Sequence, residues 1–121
     1  MKRADFSNMP QPLKDAFLRV NPNVHQLKTM HDKDAARMRS FKDVPDDSVR
    51  SVRAPTLIVL GDRDIVKPEH AVELTRLISG ARLLVLPGGH GDYLGEAVMT
   101  QKHTRYPELT ARLIDEFLDS E

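Results

Sequence analysis

The sequence predicts an α/β fold, and three observations carry that prediction. Two short apolar runs, Thr56-Leu57-Ile58-Val59-Leu60 and Leu83-Leu84-Val85-Leu86, are each stopped abruptly, by Gly61-Asp62 and by Pro87-Gly88-Gly89. The stretch between them has helical periodicity and opens on Pro68-Glu69. Short continuous apolar runs with β-branched residues are the pattern of strands buried on both faces of a parallel sheet. Strand, helix and strand with short connections make a βαβ unit, which is expected to be parallel and right-handed.

Each element follows from local signals. Pro10 and Pro12 stand where a helix starts, and Leu13, Phe17, Leu18 and Val20 give that helix an apolar side. Asn21-Pro22-Asn23 is a turn, with Asn23 placed to cap the next segment. There Val24, Leu27, Met30, Ala35 and Met38 recur at helical intervals, opposite a polar side that includes His25, Lys28, His31 and Asp32. Phe41 leads into Asp43-Val44-Pro45-Asp46-Asp47, whose acids favour the first turn of a short helix around Ser48 to Val52. In the helix opened by Pro68 the apolar face is Ala71, Val72, Leu74, Leu77 and Ile78, and Gly80 stops it. Tyr106-Pro107 precedes a closing helix with Leu109, Leu113, Ile114, Phe117 and Leu118 in one stripe. Residues 1–53 therefore read as a helical segment and residues 54–121 as a βαβα portion. Two parallel strands buried on both faces need neighbours, so an exposed sheet edge is expected, to be covered by more chain or by a second copy.

Composition bounds the function classes. A length of 121 residues fits one domain at most. With 40% hydrophobic and 30% charged residues the chain reads as soluble and globular rather than disordered. Eighteen basic residues balance eighteen acidic ones in a dispersed pattern, which gives no pull toward nucleic acid or anionic lipid. No run approaches the roughly 18 apolar residues of a membrane helix. The stretch Met1 to Pro10 is polar and lacks the apolar core of a signal peptide. The absence of cysteine excludes disulfides and thiolate metal sites, and fits a reducing, cytoplasmic setting.

Chemistry is expected at the carboxyl ends of the strands, where open α/β sheets gather their ligands and catalytic groups. Those ends read Gly61-Asp62-Arg63-Asp64 and Pro87-Gly88-Gly89-His90-Gly91-Asp92. An acid in one loop and a histidine in the next suit a carboxylate that orients an imidazole, fixes its tautomer and stabilises its cation. Asp62 and Asp64 are both candidates for the acid, with Asp62 better suited to a turn beside Gly61. Glycines on both sides of His90 permit a tight, exposed loop.

The segment Ala54-Pro55-Thr56-Leu57-Ile58-Val59-Leu60-Gly61-Asp62-Arg63-Asp64, with Pro68 beyond it, resembles the acid-bearing strand and loop of α/β-hydrolases. Leu86-Pro87-Gly88-Gly89-His90-Gly91 resembles the histidine loop of the same family. The resemblance implies that Asp64 is the catalytic acid and His90 the catalytic base, with Glu96 in the acidic position often found shortly after that histidine. It also implies that the run Met9 to Val52 is the tail of a helical cap, where Phe17, Met30, Met38 and Phe41 are candidates for a wall that binds acyl or alkyl groups. The parent activity is hydrolysis of an ester, amide or related bond, with no cofactor. The family's nucleophile lies on an earlier strand in a G-x-S-x-G elbow. None of Ser7, Ser40, Ser48, Ser51, Ser79 and Ser120 stands in such a motif. An acid and a histidine without a nucleophile cannot perform covalent acyl transfer, so the isolated chain is expected to be inactive. The expected partner is a missing amino-terminal half or a second copy of the chain, with neither nucleic acid nor membrane involved.

The other histidines have plainer readings. His25 and His31 are off-phase for a ligand pair on one helix face. His70 sits near a helix start, facing solvent, and His103 lies in a polar stretch with no role. Asp62, Asp64 and His90 do not make a full metal-ligand set.

Overall fold

A computed structural model describes residues 5–96 and 104–120; His103 and the first residues of the polar amino-terminal stretch lie outside them. The chain forms two compact units, Met1–Asp43 and Val44–Glu121. The division falls upstream of the change in sequence character at residue 54, because the short third helix packs against the crossover helix of the second unit.

The first unit is helical. A 3-10 turn at Phe6–Asn8 is capped by the Asp5 carboxylate, which accepts from the Ser7 amide at 2.9 Å. Helix α1 (Gln11–Val20) starts with Pro12 in its first turn, where the missing N–H costs nothing. Helix α2 (Val24–Ser40) is capped by Asn23, whose side chain accepts from the Gln26 amide at 3.2 Å. Of its apolar positions Leu27 and Ala35 are buried, Met30 is half-buried, and Val24 and Met38 are exposed. The His31 ring meets the Phe6 ring edge-on at 5.5 Å.

The second unit is a mixed α/β arrangement around one sheet of two parallel strands. Helix α3 (Asp46–Arg50) begins slightly earlier than the sequence signals suggest, with Asp46 and Asp47 inside its first turn and Arg50 paired to both. Strand β1 (Leu57–Gly61) pairs in parallel with strand β2 (Arg82–Leu86), Leu57 beside Arg82 and Gly61 beside Leu86. Helix α4 (Pro68–Leu77) crosses between them and packs on both strands, burying Ala71. The βαβ unit is thus as the periodicity predicts.

Two expectations are corrected. The strands are not buried on both faces: most of β1 is half-buried, and Leu83 and Val85 of β2 stand 36% and 40% exposed. Two strands with few covering elements cannot bury what a wider sheet would. Helix α5 (Tyr106–Asp119) buries its apolar stripe only in part: Ile114 and Phe117 are half-buried, whereas Leu109, Leu113 and Leu118 are exposed. Its inward face carries Thr110, fully buried, then Ile114 and Phe117, which follow at helical spacing. Three leucines therefore flank that face, and Ile114 and Phe117 are the apolar side chains that it partly covers.

Candidate active site

The two strand-end loops are drawn together by their backbones. The Asp62 amide donates to the Leu86 carbonyl at 2.8 Å and the Arg63 amide to the Gly88 carbonyl at 3.0 Å. In return the Gly88 amide donates to the Asp62 carboxylate at 2.9 Å. Gly61 makes this approach possible, because a Cβ there would lie 2.4 Å from the Gly88 carbonyl oxygen. Asp62 is therefore a clasp between the two loops.

That clasp brings Asp64 to His90. The imidazole Nδ1 lies 2.8 Å from Asp64 Oδ1. A carboxylate only accepts, so Nδ1 carries the proton and donates it, and the proton-accepting position of the neutral ring is Nε2. The Asp64 side chain is 4% exposed and the His90 side chain 55%, so the acid is held inside while the ring reaches outward. Burial pushes the Asp64 carboxyl upward, but the hydrogen bond from His90 and the amides of Val66 and Ile65 outweigh it and leave the carboxyl below its usual range. The same hydrogen bond holds the His90 imidazolium above the ordinary histidine value, with the Asp64 and Glu96 charges adding to it and partial desolvation opposing.

The histidine loop is built by contacts that the motif alone does not announce. Gly88 and Gly91 take φ of +134° and +74°, a region that disfavours side chains. Asp92 is buried and accepts from the Gly89 amide at 2.7 Å, closing the turn around His90. The Tyr93 hydroxyl donates to the Val59 carbonyl at 3.3 Å, tying the loop back to β1. Glu96 folds over Gly91, whose carbonyl accepts its amide at 3.2 Å. Asp92 and Tyr93 are the site-shaping residues that sequence reasoning missed; an aspartate three places after Gly89 is the one local signal of the turn.

The structure brings Asp64 and His90 together. The candidate substrate-wall residues all lie in the first unit, Phe17 and Met30 half-buried, Met38 and Phe41 exposed. Among the described residues the His90 ring hydrogen-bonds Asp64 and no hydroxyl. The arrangement is an oriented general base with an open outer nitrogen, able to take and return a proton. No group of three or more potential metal ligands occurs among the described residues, and no described helix is long and apolar enough to cross a membrane. Comparison with protein-family models, curated proteins and solved structures finds no match to this chain.

Proposed function

We propose that the chain is the carboxy-terminal part of an α/β-hydrolase, contributing the acid Asp64 and the base His90 to a triad whose nucleophile it lacks. The observation that carries this reading is the 2.8 Å contact between an enclosed aspartate and an exposed histidine, on adjacent loops after parallel strands. In the complete site Asp64 orients His90 and stabilises its cation. His90 Nε2 takes the proton from the nucleophile, a serine in most such enzymes, and returns it to the leaving group. The bond cleaved is an ester, amide or related one.

The purified chain should not hydrolyse activated esters above background. A robust rate abolished by His90→Ala would refute the absence of a nucleophile. The coding sequence upstream of Met1 supplies the second check. An in-frame G-x-S-x-G there supports a separated half, and none there leaves a remnant that acts alone. A non-catalytic remnant that associates with another copy is the second reading, favoured by the exposure of Leu83 and Val85 on β2.

A further inference from the structure

Taking the chain as such an open-edged fragment, we infer that β2 and the groove beneath α5 form a self-complementary surface that pairs with a second copy of this chain. The two edges of the sheet are not alike. In the parallel ladder the Arg82 amide donates to the Thr56 carbonyl and the Asp62 amide to the Leu86 carbonyl. Alternation then turns the peptide groups of Leu57, Val59 and Gly61 away from β2, and those of Leu83 and Val85 away from β1. On the β1 side the Val59 carbonyl accepts from Tyr93 and the Gly61 carbonyl from the Asp64 amide. On the β2 side, among the described residues, the outward groups of Leu83 and Val85 have no partner. One edge is partly stopped and the other is open.

Beside the open edge lies a groove of about 400 Å³ between α5 and the strand starts. Its walls are apolar, chiefly Leu57, Leu84, Leu113 and Phe117, and it carries one cation, Arg82, and one anion, Glu116. Both charged side chains are exposed, and neither is ion-paired among the described residues. A surface bearing one free charge of each sign can satisfy both in a two-fold dimer, because each copy offers its anion to the other's cation. Antiparallel pairing of two β2 strands about Leu83 sets Arg82 opposite Leu84 of the second copy, on the face where Glu116 of that copy stands. On the opposite face Leu83 gains Leu83 of the second copy as a cross-strand neighbour and Val85 gains Ala81. The result is a four-stranded sheet with β1 at both outer edges.

Sedimentation over a concentration series tests this on the wild-type chain, Arg82→Glu, Glu116→Arg and the double reversal. The wild type should form a dimer. Each single reversal should weaken dimerisation about tenfold or more, since two cross-pairs become like-charged, and the double reversal should restore it. A wild type that stays monomeric at every concentration overturns both this surface and the open-edge reading. A dimer indifferent to all three variants overturns the surface alone. Weakening by both single reversals without rescue by the double overturns the reciprocal pairing. Because both charges are exposed, circular dichroism should be unchanged in these variants. Val85→Pro, which removes an outward N–H that β1 does not use, should abolish the dimer by a separate route, and a persisting dimer counts against the edge.

Discussion

Replacing Asp64 by asparagine while keeping His90 isolates the ion pair on which the candidate site depends. At 2.8 Å two unit charges interact by about 1.5 kcal/mol in a water-like dielectric. The imidazole is 55% exposed, so screening and the side-chain order required reduce the coupling to about 0.5–1 kcal/mol. The sign of its pH dependence follows from the two groups. His90 is raised in the folded chain, so its contribution is complete below the ordinary histidine value of about 6.5 and is lost as pH rises through the raised one. Asp64 is lowered, so its contribution is complete above the ordinary carboxylate value of about 3.9 and is lost as pH falls through the lowered one. The pair is fully stabilising between those two ordinary values. A double-mutant cycle of Asp64→Asn and His90→Gln, measured by urea unfolding at about pH 6 and about pH 9, reads the coupling directly. It should shrink at the higher pH, leaving only the neutral hydrogen bond. In parallel, the His90 titration followed by NMR should move down in Asp64→Asn. A coupling that is absent at pH 6, or that stays constant to pH 9, would refute the ion pair.

Three further outcomes concern how the loops are held. Gly61→Ala drives a Cβ to within 2.4 Å of a backbone oxygen and should cost about 1–3 kcal/mol in urea unfolding, with the His90 titration returning toward an ordinary one as the loops separate. Asp62→Ala leaves the part-buried Gly88 amide without its acceptor and should cost about 1–2 kcal/mol, without removing the His90 ring's own partner. Gly91→Ala puts a side chain at φ +74° and should cost about 1 kcal/mol. Adding Glu96→Ala to Gly91→Ala should not recover that loss, because the backbone conformation and not the neighbouring carboxylate sets it.

Most of the element order was legible because it depends on short-range physics. Prolines at helix starts, Asn23 as a cap and two apolar runs ended by glycine act within a few residues, and the helices and strands appear where those signals stand. The placement of an acid and a histidine after adjacent strands was legible for the same reason, since a parallel βαβ unit sends both strand ends the same way. What needed the tertiary structure was every decision made between segments. Gly61 looked like a strand stop and is also the gap that admits the Gly88 carbonyl. Asp62 was set apart from Asp64 by its place beside Gly61, but that it clasps the Gly88 amide across the loops while Asp64 meets the imidazole was visible only in the tertiary structure. How much of the α5 stripe is covered was not legible, because periodicity counts apolar residues but does not say how much surface is available to cover them. Among the described residues the sheet has two strands and offers too little, so Thr110, Ile114 and Phe117 turn inward while Leu109, Leu113 and Leu118 stay exposed.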